Sequence, residues 1–229
     1  MMAGEEVALK VNRRFERASE STVSHFRSVS TGNICDAQGR SGALDYRIKP
    51  ISKNASFAGA ALTVQTVPRD NLAPWAALDI AKAGDVVVIS TGEYLASSVI
   101  GDVYVGMARN RGVVAIVTDG VIRDVEGINA VGIPVFACGV SPNSPWKNGP
   151  GSVGFPIVIG GMTVHPGDIV VGDPDGVVIV SRMKAEEVAE ELKTVLVKEA
   201  KMEADVKAGK SVPGWLAEAY KIKGVRYID

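Results

Sequence analysis

The stretch IGDVYVGMARNRGVVAIVTDGVIRD, Ile100 to Asp124, holds a whole helix-to-strand unit. Gly101-Asp102 stands where a helix would begin, Met107 to Arg111 closes that helix, and Gly112 supplies the turn. Val113 to Val117 is a continuous aliphatic run, the mark of a strand buried on both faces. Arg123-Asp124 lies just past the end of that strand, where ligands bind in α/β sheets. The unit reads as α/β, with an acid near each end and an arginine directly beside the second.

Outward from this unit the pattern repeats. Gly59 to Val67 reads as a strand, Asn71 to Ala83 has helical spacing of Leu72, Ala76, Ala77 and Ile80, and Asp85 to Ile89 is another buried strand. A short helix is expected after Arg123 and a strand at Pro134 to Ala137. Upstream, Val11 to Ser28 reads as an N-terminal helix and Thr31 to Arg40 as a shorter one with a polar cap. Downstream, PIVIGG, MTVHPGDIVVGD and GVVIVS are short strands cut by Gly, Pro and Asp, which suggests antiparallel or mixed β structure. From Met183 onward Glu, Lys and Ala dominate, with helical periodicity through Val188, Leu192, Val195 and Leu196. No Ser/Gly linker interrupts the chain, so residues 1–229 read as a single α/β domain. It has a three-layer or β/β/α arrangement, with N- and C-terminal helices and residues 183–229 as a helical arm.

Composition narrows the function. A chain of 229 residues with 46% hydrophobic and 22% charged residues fits one ordinary globular core. The net charge of -1, with no basic run, gives no footprint for nucleic acid. No apolar run is long enough for a bilayer, and MMAGEEVALKVNRRFERASE has no signal-peptide core. Cys35 and Cys138 read as buried free thiols of a reducing, cytoplasmic compartment. A small-molecule partner is the expectation.

Several motifs are set aside. Gly149 to Gly154 spells GxGxxG, but strand-like FPIVI follows where a dinucleotide site needs a helix. His25 and His165 have no metal-binding spacing, and Trp75, Trp146 and Trp215 read as core or interface anchors. Asp102 has an ordinary reading as a helix cap, and Arg123-Asp124 as a surface pair or a cap of the next helix. Taken together, the two ends of one unit could instead present two carboxylates, an arginine and a helix N-terminus at one edge of a sheet. A hard divalent cation takes one or two carboxylates and keeps several waters. Arginine and helix amides hold a 2-oxo acid. Such a set would stabilise an enolate.

At these residues the sequence resembles the RraA-like family, which includes class II 4-hydroxy-4-methyl-2-oxoglutarate aldolases. The likeness covers Asp36-Ala37, GAALTV, Asp70-Asn71, AGDVVVIS, DGVIRD, IPVFACGVSP and PGDIVVGDPDGVVIV. Its most specific element is an Asp, twenty intervening residues, then Arg-Asp, met by Asp102, Arg123 and Asp124. The resemblance implies a β/β/α swivelling-type fold assembled as trimers, or as trimers paired into hexamers, with the C-terminal arm at a subunit interface. It implies Mg²⁺ or Mn²⁺ on Asp124, with Asp102 holding the ion's waters. Arg123 would contact the pyruvyl oxygen, and the amides of Gly101, Asp102, Val103 and Tyr104 would surround the substrate carboxylate. A neighbouring subunit would add an acid, Glu199 or Glu203. The implied activity is lyase cleavage of a 4-hydroxy-2-oxo acid to pyruvate through an enolate, with oxaloacetate decarboxylation alongside. The alternative is an RraA-type regulator that binds RNase E without catalysis. The chain departs from some aldolase members, which carry a further acid after Arg-Asp. Here Glu126 comes one position early, and Gly127 stands in its place.

Overall fold

A computed structural model describes residues 9–228; the first residues of the charged N-terminal stretch, and residue 229, lie outside the described residues. In chain order the elements are β1 (Leu9–Val11), α1 (Glu20–Ser24), α2 (Thr31–Ala37), β2 (Lys49–Pro50), β3 (Phe57–Thr66) and α3 (Leu72–Ile80). Next come β4 (Asp85–Ser90), α4 (Asp102–Asn110), β5 (Ala115–Thr118), α5 (Val125–Val131) and β6 (Val135–Ala137). Then follow β7 (Gly151–Val153), β8 (Ile157–Ile159), β9 (Met162–Val164), β10 (Ile169–Asp173), β11 (Gly176–Val180), α6 (Ala185–Lys207) and α7 (Leu216–Lys223).

Every residue of β4 is buried. Its side chains alternate between two cores, as the two-residue period of a strand requires. Val87 and Ile89 join Tyr104, Val105 and Ile128 beneath the helices. Val86 and Val88 join Ile157, Ile159 and Val164 on the opposite face. Strands β3, β4, β5 and β6 run parallel in that order, and β2 closes one edge antiparallel to β6. The other edge of β3 pairs antiparallel with β10 near its start and with β7 near its end. Helices α3, α4 and α5 cover one face; the β8–β9 hairpin and residues of β10 and β11 cover the other. This is the expected β/β/α layering. A third cluster packs α1, α2 and the start of α6 against β10 and β11.

The expected helix from Val11 to Ser28 is a correction. Helix α1 covers only Glu20–Ser24, opened by Ser19, whose hydroxyl accepts the Thr22 N–H at 3.1 Å. Residues 9–11 form β1 on β7 instead. The reason lies far along the chain. Asp85 is 1% exposed, and a buried carboxylate needs a cation. Arg17 supplies it with Nε at 2.7 Å from Oδ1, while the Ala18 N–H donates to Gly167 O at 3.0 Å. A helix through these residues would forfeit both contacts.

The Gly149–Gly154 loop carries β7 and leads into β8, so the dinucleotide reading fails on context. In the C-terminal arm, α6 buries Ala185, Val188, Ala189 and Leu192. Val197, Met202 and Val206 further along α6 are exposed, and α7 buries none of its residues. No helix among the described residues is long and apolar enough to cross a membrane.

Candidate active site

Beyond the carboxyl ends of β4, β5 and β6, three extended segments continue the ladder. Ser98 bridges Val121 in parallel, the Val99 N–H donates to Val121 O at 2.9 Å, and the Arg123 N–H donates to Ile100 O at 3.2 Å. On the other flank the Ile122 N–H donates to Gly139 O at 3.0 Å, and the Ser141 N–H to Ile122 O at 2.9 Å. Backbone pairing alone therefore brings Gly101-Asp102 beside Arg123-Asp124.

The approach is close because Gly101 lacks a side chain. A Cβ there would stand 2.3 Å from Asp124 Oδ2 and 3.3 Å from Arg123 Cγ. Arg123 Nε donates to Asp124 Oδ2 at 3.2 Å, and Arg123 Nη1 donates to Ser144 Oγ. Arg123 and Asp124 keep 39% and 42% of their side-chain surface exposed, so the pair can be approached. Asp124 sits at φ 60°, ψ 45°, a left-handed conformation that Asp tolerates better than most residues. It heads α5 but makes no side-chain cap bond. The capping reading of Asp124 therefore fails. Asp102 comes nearer to its ordinary reading, since its Oδ1 accepts the Val103 N–H at 2.7 Å.

Helix α4 starts its ladder at Val105, whose N–H donates to Gly101 O at 3.1 Å. The amides of Asp102, Val103 and Tyr104 thus belong to the helix end, where an anion is favoured. Only the backbone of Tyr104 can serve a ligand. Its ring is 1% exposed, its hydroxyl donates to Pro74 O at 2.9 Å, and burial pushes that hydroxyl's pKa up. Trp75 packs edge-on against it at 5.2 Å, while Trp146 and Trp215 are exposed.

Contacts made across long loops add residues to which the sequence reading gave no role at the site. Ser144 reaches Arg123 because the Ser98 hydroxyl donates to Asn143 O at 2.6 Å and holds that loop in place. Asn71 Nδ2 donates to Val99 O at 2.9 Å, steadying the segment that enters Gly101. Asp119 is 3% exposed and accepts the Thr91 N–H at 2.6 Å, the Thr91 hydroxyl at 2.8 Å and the Glu93 N–H at 3.3 Å. It ties the loop after β4 to the loop after β5. An Asp directly after a buried strand was a legible signal here. Asp119→Ala strands those donors and is expected to cost about 2–3 kcal/mol. In a calorimetric melt that is a fall in Tm of about 5–10 °C.

Cys138 lies nearby. Both cysteines are free and only partly buried, rather than buried as expected. Burial pushes the Cys138 thiol up to about 11, opposed by Arg47 and reinforced by Asp119, Asp45 and Glu93. Because the thiolate is the reactive form, its alkylation rate is expected to climb about tenfold per pH unit between pH 7 and 10. A rate that levels off near pH 9 would contradict this.

Glu199 lies elsewhere within the chain. It sits on α6 facing α2, where Asn33 Nδ2 donates to its carboxylate, and it lines a separate groove with Asp36, Arg40 and Glu203. Among the described residues no group of three or more His, Cys, Asp or Glu gathers to hold a metal ion. One chain offers two carboxylates at this corner, Asp102 and Asp124.

Comparison with known proteins gives consistent findings. A family model described as RraA-like, Aldolase/RraA, matches residues 31–179. A protein of Halalkalibacterium halodurans, provisionally named a 4-hydroxy-4-methyl-2-oxoglutarate aldolase, is 36% identical over 171 residues, covering 75% of this chain and 81% of that protein. The crystal structure of an uncharacterized protein from Pseudomonas syringae pv. tomato superposes with a TM-score of 0.75 at 28% identity, covering 86% of this chain and 97% of that one. The structure of the RNA-processing inhibitor RraA from Thermus thermophilis gives a TM-score of 0.62 at 28% identity, over 67% of this chain and 93% of that one.

Proposed function

Because the chain belongs to the RraA-like family, we propose that it is a divalent-metal-dependent lyase. Its substrates would be 4-hydroxy-2-oxo acids of the 4-hydroxy-4-methyl-2-oxoglutarate type, cleaved to pyruvate and a second oxo acid. The observation that carries this reading is the corner where Arg123 and Asp124 rest on the bare backbone of Gly101, beside the first turn of α4.

The residues present fit a Mg²⁺ or Mn²⁺ ion. Both acids offer hard oxygen donors, and two carboxylates suit an ion that retains much of its water. Asp124 and Asp102 would hold the ion, which when bound supplies Lewis-acid polarisation of the 2-oxo group. The end-of-helix amides at Val103 and Tyr104 would receive the substrate carboxylate, the Val103 N–H being one that also donates to Asp102 Oδ1. Arg123 would meet the pyruvyl oxygen. As the C3–C4 bond breaks, a water in the site takes the C4 hydroxyl proton and C4 becomes a carbonyl. The electron pair passes toward the 2-oxo oxygen, and Arg123 holds the charge that collects there. Return of a proton from that water to C3 then yields pyruvate. Loss of carbon dioxide from oxaloacetate passes through the same enolate, so that side activity is part of the proposal.

A neighbouring subunit, in a homotrimer or a hexamer, would complete the site with Glu199 or Glu203. Exposure of Val197, Met202 and Val206 on α6 is what an arm awaiting a second subunit would show. The alternative reading is a regulator, favoured by the structural likeness to an RNA-processing inhibitor. A pyruvate-release assay over 4-hydroxy-2-oxo acids and oxaloacetate, with and without EDTA, tests the first reading. Capture of RNase E in parallel tests the second. Pyruvate release that chelation stops supports the lyase. RNase E capture with no pyruvate release supports the regulator.

A further inference from the structure

Arg123 is held at two nitrogens, and the second hold comes from a loop further along the chain. Its Nε donates to Asp124 Oδ2 at 3.2 Å, and its Nη1 donates to Ser144 Oγ. A bond at Nε alone leaves the guanidinium free to swing about that bond, whereas a second bond from Nη1 fixes its plane. Ser144 is exposed, so its place depends on what holds its backbone. On one side Asn143 O accepts the Ser98 N–H at 3.0 Å and the Ser98 hydroxyl at 2.6 Å, while Asn143 Nδ2 donates to Ala96 O at 3.1 Å. On the other side the Trp146 N–H donates to Arg69 O at 2.7 Å, and Trp146 O accepts the Asn71 N–H at 2.9 Å. The Asn148 N–H donates to the buried Asp70 carboxylate at 2.6 Å. Pro145 stiffens the stretch between these anchors and disfavours helical backbone at Ser144. None of the anchors involves Arg123, so the hydroxyl stands in place independently of the guanidinium that it meets.

We infer that Ser144 is a positioning residue, which fixes the plane of the Arg123 guanidinium so that its spare N–H groups stay turned to the pyruvyl oxygen. The inference rests on the lyase reading of the site. Ser144 accepts in this bond, so it occupies one N–H of Nη1 and leaves the others for the substrate. Asp124 does not fix the plane by itself, because it meets the guanidinium only at Nε. An Arg123 freed from Ser144 would have to be ordered on the way to the transition state, which costs rate more than binding.

The test joins two measurements on the full-length protein. One is the kinetics of pyruvate release from 4-hydroxy-4-methyl-2-oxoglutarate with Mg²⁺ present; the other is NMR of the arginine side-chain N–H groups without metal. Ser144→Ala is expected to lower kcat about tenfold, a fraction of what losing the guanidinium costs, with KM within about twofold of wild type. Its Tm should move by less than about 2 °C, as for other exposed sites. Ser144→Thr, which keeps the hydroxyl, should recover most of the rate. In an Arg123→Ala background, adding Ser144→Ala should change the residual rate by less than about twofold, a coupling that separates direct contact from general loosening. In the spectra, a guanidinium held at both Nε and Nη1 turns slowly about its Nε–Cζ bond and gives resolved Nη signals. Those that vanish in Arg123→Ala belong to Arg123, and Ser144→Ala should broaden them. Wild-type kcat in Ser144→Ala, unbroadened Arg123 signals in that variant, or an equal loss of rate with and without Arg123 would each overturn the inference and leave the lyase reading intact. A wild-type protein that releases no pyruvate would remove both.

Discussion

Arg123→Ala is expected to lower kcat for pyruvate release by about 100- to 1,000-fold, the effect of deleting one donor aimed at a developing oxyanion. The guanidinium is held on two sides, by Asp124 through Nε and by Ser144 through Nη1. It therefore needs little reorganisation when charge appears on the pyruvyl oxygen. Because the contact strengthens as that charge develops, kcat and kcat/KM should fall together. Lysine should recover only part of the loss, since it lacks the planar fork. Metal affinity carries the opposite sign. Removing a positive charge beside Asp124 leaves Mn²⁺ bound at least as tightly, so weakened binding would point to a collapsed site instead. An unchanged kcat/KM would remove Arg123 from the mechanism.

The second large effect concerns Asp124. Here asparagine is the informative substitution, because the left-handed backbone at φ 60° penalises alanine more than Asn. Asp124→Asn keeps shape and conformation and removes the charge. Lewis-acid assistance contributes several kcal/mol to reactions of this kind, so activity should fall by about 1,000-fold or more. EDTA should bring the wild-type protein to the same floor, and added Mg²⁺ or Mn²⁺ should restore the wild type but not the variant at equal concentration. Chelation that leaves turnover untouched would defeat the metal-dependent reading.

Much of the fold was legible in the chain because its signals are local. The aliphatic run in β4 and the Gly112 turn after α4 report burial and termination within a few residues of themselves. The N-terminal segment was not legible. Its apolar spacing permits a helix, and only the partner of Arg17, the buried Asp85 far along the chain, shows why it stays extended.

The site divides along the same line. By itself the sequence determined that Asp102 opens a helix and that Arg123-Asp124 follows the end of a buried strand, since both positions follow from periodicity and turn chemistry. Only the tertiary structure decided that the Asp124 side chain makes no cap bond, that Ser144 reaches Arg123, and that Gly101 and Gly127 leave room for the carboxylates of Asp124 and Asp102. Those contacts join segments with no periodic relation to one another. Packing distances of a few ångströms fix them, and a linear pattern of residue types does not encode such distances.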